Sequence, residues 1–215
     1  MVRVISVVPS RYWPPESRTI ALGELTDKER HYYTYVMQGM LRLLDAKISA
    51  QEREQSQNLL DAGDEYGARF IGRRLDEIAR KPLRDNGLDY AHGTGHGVGF
   101  LGRVHELPRR IPDAIFAPGL IMSDEPGVYI DGEFGVRIEN LMLCVEDTDA
   151  ANAGGLCFTP LTWCPLERAA VVAEDLTEDD KRLYNKYQSK VWEMISPYLD
   201  EDERKWLREE TAELV

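Results

Sequence analysis

The sequence predicts an α+β protein, and three observations carry the prediction. Helical amphipathic spacing runs from Thr26 to Leu44 and again around Phe70–Ala79. A glycine-rich stretch of short apolar runs replaces it after Gly87. Helical spacing then returns from Thr177 to the end of the chain. Helices and strands grouped in separate blocks, rather than alternating, are the pattern of an α+β chain.

At 215 residues the chain can form one large domain or two small ones with a real core. Its 43% hydrophobic and 30% charged residues are ordinary for a soluble globular protein. A net charge of −12 argues against a sequence-independent nucleic-acid binder and against an anionic membrane surface as partners. The apolar run from Met1 to Pro9 is too short to span a bilayer and lacks a small-residue cleavage site, so it reads as a strand or an irregular end. Cys144, Cys157 and Cys164 form no CxxC pair. They read as reduced thiols of a cytoplasmic protein, with a Cys157–Cys164 disulfide as the lesser alternative.

Taken in order, residues 10–17 are irregular because Pro14 and Pro15 disfavour both helix and central strand. Thr26-Asp-Lys-Glu29 is a capping box, opening a helix with Tyr33, Val36, Met37, Met40, Leu41 and Leu44 on one face. Residues 49–65 are polar and predict an exposed helix or an inserted loop. Phe70, Ile71, Leu75, Ile78 and Ala79 mark a second helix, ending at Pro82 or Gly87. Five glycines in 88–105 exclude a stable helix there, so His92 and His96 are not a helical zinc pair. Leu120–Ser123 and Val128–Ile130 predict short strands, with Asp131-Gly132 as a hairpin turn. Phe134–Val145 predicts one long strand, and Phe158–Trp163 another. Thr177 caps a helix with Tyr184, Tyr187, Val191, Met194 and Ile195 on one face. Asp200 with Glu203 caps a last helix ending near Leu214.

Three of the four histidines fall within fourteen residues, in His92-Gly-Thr-Gly-His96 and on to His105; Ser-Asp-Glu125-Pro-Gly and Arg137-Ile-Glu139-Asn follow. Imidazole and carboxylate are the donors of hard to borderline divalent cations, so a metal-dependent hydrolase is the first reading. Glycines on both sides of His96 let the backbone approach closely and give its ring room to reach a ligand. Arg137 and Glu139 share a strand face, which lets the arginine orient the carboxylate. The alternative reading of the same residues is a set of glycine-rich hairpins with surface histidines and a Glu–Arg ion pair. His31, on a polar stretch of helix, is expected to be merely solvated.

These motifs in register, with Val104-His105-Glu106 and the closing Pro160-Leu-Thr-Trp-Cys-Pro-Leu166 segment, resemble the catalytic half of aminopeptidase P (Xaa-Pro aminopeptidase). The resemblance implies an incomplete pita-bread (creatinase/aminopeptidase-like) fold with a C-terminal helical extension. It divides the chain into a non-matching segment 1–17, a partial catalytic domain 18–150 and an extension 151–215 that serves dimerisation. It implies metal ligation by His96, Glu125 and Glu139, proton abstraction from water by Glu125, and substrate and oxyanion contacts from His92 and His105. Two divalent ions occupy the family site, manganese first, with zinc or cobalt as alternatives. The implied substrate is a peptide with proline at its second position, cut by a cytoplasmic homodimer. The family's upstream aspartates and histidine have no counterpart: Pro15 falls where the second aspartate belongs, and Glu16 is one residue out of step. The expectation is therefore a truncated form that holds at most one ion and is weak or inactive alone. A non-catalytic peptide- or protein-binding module is the alternative. Metal-free hydrolysis by histidine is disfavoured by the intact glutamates.

Overall fold

Thr26 starts the first helix, α1 (Asp27–Leu44), by a reciprocal cap: its hydroxyl accepts the Glu29 N–H, and its own N–H donates to the Glu29 carboxylate. The computed structural model describes residues 2–7, 16–99 and 104–215. All six apolar residues expected on the inner face of α1 are buried, with Leu43 beside them. The polar stretch 49–65 forms α2 (Ala50–Asp61), capped by Ser49 and Glu52 and burying only Ser56, followed by the single turn α3 (Glu65–Ala68). The next helix, α4 (Phe70–Arg84), passes through Pro82 rather than stopping there. Proline in the last turn forfeits one hydrogen bond to the preceding turn. Gly87, at φ +71, then ends the helix, with the Leu88 N–H donating to the Leu83 carbonyl at 2.9 Å.

Every described strand pairing is antiparallel. β1 (Val2–Val7) pairs with β2 (Glu16–Ala21), so the N-terminal apolar run is a strand and Ser17 already belongs to one. Of the stretch expected to be irregular, residues 10–15 lie outside the described residues. A five-stranded sheet runs in the order β4 (His105–Glu106), β3 (Gly97–Val98), β5 (Ile121–Asp124), β8 (Asn140–Glu146), β9 (Leu156–Pro160). Between β5 and β8, β6 (Gly127–Ile130) and β7 (Phe134–Arg137) form a hairpin turning at Gly132, φ +74. The long strand expected over 134–145 is thus two strands. At the break the Glu139 N–H leaves the ladder and donates to the Ser17 carbonyl at 2.9 Å.

Helices α1 and α4 pack on each other beside this sheet, and a common apolar core includes Met37, Met40, Leu75, Met122, Ile138 and Met142. The C-terminal part adds α5 (Glu178–Ile195), capped by Thr177 with Asp180, and α6 (Glu201–Glu210), capped by Asp200 with Glu203 and ending short of Leu214. Tyr184, Tyr187 and Val191 of α5 are buried as expected. Leu183 completes that face, while Met194 is exposed. Asp180 also reaches α1, accepting Arg42 Nε and Nη2 at 2.7 Å each and Gln38 Nε2 at 3.0 Å. Burial would raise this carboxyl, but the Arg42 fork and the Thr177 cap hold it at about 2. The three cysteines are free, and among the described residues no helix is long and apolar enough to cross a membrane.

The helix pair depends on Gly39, where an added Cβ would sit 2.2 Å from the Ala79 carbonyl oxygen of α4. Gly39→Ala is expected to force the two helices apart and cost about 1–3 kcal/mol, read as a lower urea midpoint; an unchanged midpoint would show that the contact yields.

Candidate metal centre

The ladder registers explain how two distant glutamates meet. Asp124 opposes Asn140 at the end of β5–β8, and Gly127 opposes Arg137 at the start of β6–β7. Both pairings are symmetric about Gly132, so Glu125 and Glu139, seven residues to either side, face each other in the gap between the ladders. Directly opposed residues on antiparallel strands carry their side chains on the same face, and like charges placed so repel.

His96 is set against the same place by its glycine neighbours. A Cβ on Gly95 would lie 1.8 Å from the Ser123 carbonyl oxygen, and one on Gly97 2.2 Å from that of Leu107. Only bare backbone lets the chain pass this close to β5 on one side and to the segment after β4 on the other. The His96 N–H donates to Ser123 Oγ at 2.9 Å, and its carbonyl accepts the Ser123 N–H at 2.8 Å. Nδ1–H donates to the Gly97 carbonyl at 2.8 Å, a tautomer assigned from that bond. Nε2 then presents a lone pair, 3.3 Å from Glu125 Oε1.

The three side chains form a compact donor set, with one ligand atom from each of His96, Glu125 and Glu139 lying within 4.8 Å of the others. Ser123 Oγ lies 3.0 Å from Glu125 Oε1, and Ser17 Oγ donates to Glu139 Oε2 at 2.9 Å. Glu139 Oε1 is buried with no hydrogen-bond partner. Burial, then the Glu125 charge, push Glu139 up to about 7. Asp124 is fully buried with both oxygens unpartnered; burial and the neighbouring glutamates drive it well above the usual carboxylate range. Paired carboxylates, an imidazole lone pair and an orphaned acceptor fit a divalent cation, whose charge would relieve the crowding.

The other expected residues divide. The exposed His105 is brought to the donor set, its ring centroid 4.1 Å from that of His96. His92 is tied to Tyr129, with Nε2 2.9 Å from the phenol oxygen and its ring stacked on Tyr90 at 4.8 Å. Arg137 lends its charge to Glu139 and to the Tyr129 hydroxyl, whereas the hydrogen bond that orients Glu139 comes from Ser17. Ser17, Ser123 and Tyr129 went unnoticed in the sequence. The signal for Ser123 was there, since alternation places it on the face of Glu125. His31 is not merely solvated: its Nδ1 is hydrogen-bonded to the Asp175 carboxylate.

The chain as a whole has counterparts among known proteins. Residues 5–146 match metallopeptidase family M24, and residues 154–214 match the C-terminal region of the same peptidases. The chain belongs to metallopeptidase family M24 and has the pita-bread fold over the part compared, with a helical C-terminal region. Among its relatives, the probable Xaa-Pro aminopeptidase P of Paracoccidioides brasiliensis (strain Pb03) is 38% identical over 206 residues, covering 91% of this chain and 30% of the relative. The probable Xaa-Pro aminopeptidase P of Coprinopsis cinerea is 40% identical over 152 residues, covering 66% and 24%. The X-prolyl aminopeptidase of Caenorhabditis elegans, described as a cytosolic enzyme with a di-nuclear active site, superposes with a TM-score of 0.76 at 28% identity, over 94% of this chain and 31% of that one. The Xaa-Pro dipeptidase of Bacillus anthracis gives 0.51 at 28% identity, over 71% and 36%. The chain spans about 30% of the length of the first of these relatives.

The raised Glu139 carboxyl has a consequence for stability. Between its ordinary value of 4.5 and about 7, the folded protein keeps a proton that the unfolded chain releases. The stabilisation from that proton is complete below 4.5 and is lost as pH rises through about 7. In metal-free buffer at pH 8, Glu139→Gln is expected to raise the unfolding free energy by about 1–3 kcal/mol, with a smaller gain at low pH. A variant less stable than the parent at pH 8 would contradict this account.

Proposed function

We propose that the chain contributes the metal-binding part of an Xaa-Pro aminopeptidase, a cytoplasmic metal-dependent exopeptidase that releases an N-terminal residue preceding proline. The observation that carries this reading is the His96–Glu125–Glu139 donor set with its unpartnered Glu139 oxygen. Membership of the M24 peptidases and the naming of the relatives support it. When bound, a divalent cation, manganese first and zinc or cobalt as alternatives, acidifies water and polarises the scissile carbonyl. His96 and Glu139 hold the ion. Glu125 shares in that ligation and takes the proton from the attacking water. His105, exposed beside His96, donates to the developing oxyanion, and His92 contacts the peptide. Three ligands suit one cation better than two, so the chain by itself is proposed to turn over slowly.

Isothermal titration with Mn²⁺ is expected to show about one ion per chain, with affinity reduced at least tenfold in His96→Ala and in Glu139→Ala. Hydrolysis of an Xaa-Pro peptide is expected to be slower than for a full-length relative. No manganese uptake by the unaltered chain would overturn the reading.

We also propose a homodimer formed through the C-terminal extension. Tyr184 and Tyr187 are buried within the chain, so the contact falls to exposed side chains such as Trp206 and Tyr198, 52% and 86% exposed. Light scattering is expected to give twice the chain mass, shifting toward the monomer in Trp206→Ser; a monomeric parent chain would reject the dimer.

A further inference from the structure

Glu139 is held at three points by two consecutive residues of β2. Ser17 Oγ donates to its Oε2 at 2.9 Å, the Ser17 carbonyl accepts its N–H at 2.9 Å, and the Arg18 guanidinium donates to its carbonyl oxygen. All three residues are nearly completely buried. Arg18 is itself anchored beyond the ladder, donating to the Asn140 side chain, to the Tyr187 hydroxyl at 3.1 Å and toward the Cys164 carbonyl at 3.4 Å. The backbone of Glu139 is thus fixed on both sides, and the Ser17 hydroxyl ties down one oxygen of its carboxylate. Ser17 occupies Oε2, and Oε1 has no other partner.

We propose that Ser17 is a positioning residue for metal binding, using its hydroxyl to set the Glu139 carboxylate with Oε1 directed at the cation. The inference rests on Glu139 being a ligand, as proposed above. A glutamate has three side-chain torsions, and a ligand free to rotate must lose that freedom when the ion arrives. A hydroxyl that has already chosen the torsion removes this cost, as hydrogen-bonded partners of metal ligands do elsewhere. A serine present only to satisfy a buried carboxylate would act on stability instead, leaving affinity for the ion unchanged.

Manganese titration calorimetry on the unaltered chain, Ser17→Ala and Ser17→Thr, paired with thermal unfolding of each in chelator, separates the two roles. Ser17→Ala is expected to weaken Mn²⁺ binding about tenfold or more while its metal-free unfolding temperature stays within a few degrees of the parent. Ser17→Thr, which keeps the hydroxyl, is expected to bind within about threefold of the parent, and it serves as the folded control if the alanine variant is unstable. Equal affinities for the parent and Ser17→Ala would overturn the positioning role alone, as would a threonine variant as weak as the alanine one. A parent chain that takes up no manganese would overturn the ligand assignment and this inference together.

Discussion

Three carboxylates, Asp124, Glu125 and Glu139, crowd one break in an antiparallel ribbon, and the surrounding structure is arranged to tolerate them. Burial opposes the charge of Asp124 and of Glu139, and the Glu125 charge beside them adds to it. Partial relief comes from several directions: the Ser17 and Ser123 hydroxyls, the Arg137 charge and the buried Arg18 guanidinium. The relief stops short of completion, because three of the carboxylate oxygens have no hydrogen-bond partner. Leaving buried acceptors unmet costs stability wherever it occurs. For Glu139 Oε1 the deficit sits in the His96–Glu125–Glu139 donor set, where a dication would cancel it, so the same arrangement that costs the metal-free chain stability would favour an ion.

Much of this was legible in the chain itself. The turn at Asp131-Gly132 was legible but its register was not: the loop spans residues 131–133, with Ile130 opposite Phe134, and a two-residue turn would have set Glu125 opposite Ile138 instead of Glu139. The capping residues Thr26, Thr177 and Asp200 each begin a helix, because a side chain that meets orphan N–H groups acts locally and needs no tertiary partner. The flanking glycines of His96 were legible as well, and the close backbone approach they allow is to the Ser123 and Leu107 carbonyl oxygens.

What escaped depends on contacts distant in sequence. Nothing local separates β7 from β8: the break at Ile138–Glu139 exists because β2 captures the Glu139 N–H from more than a hundred residues away. Pro82 was a sound local signal for the end of α4. It was overridden, and Gly87, the other end the sequence offered, holds instead, because the last turn packs into the core, where Pro82 and Leu83 are both buried. The pairing of His31 with Asp175 likewise joins α1 to a turn far along the chain, and no helical periodicity encodes it.

Arg18 and Asp180 give the chain a property that its two family matches do not suggest. The match to the peptidase region ends at residue 146 and that to the C-terminal region begins at residue 154, as though two modules were joined by a short connector. Yet Arg18 grips Tyr187 and the Cys164 carbonyl, and Asp180 grips Arg42 and Gln38. The boundary in sequence is therefore not a boundary in energy. A chimaera that exchanged the C-terminal region with that of a relative would inherit a fractured interior unless Tyr187 and Asp180 arrived in step with the partners they clasp. Recombination has few neutral crossover points in such a molecule, and its two halves are constrained to diverge together.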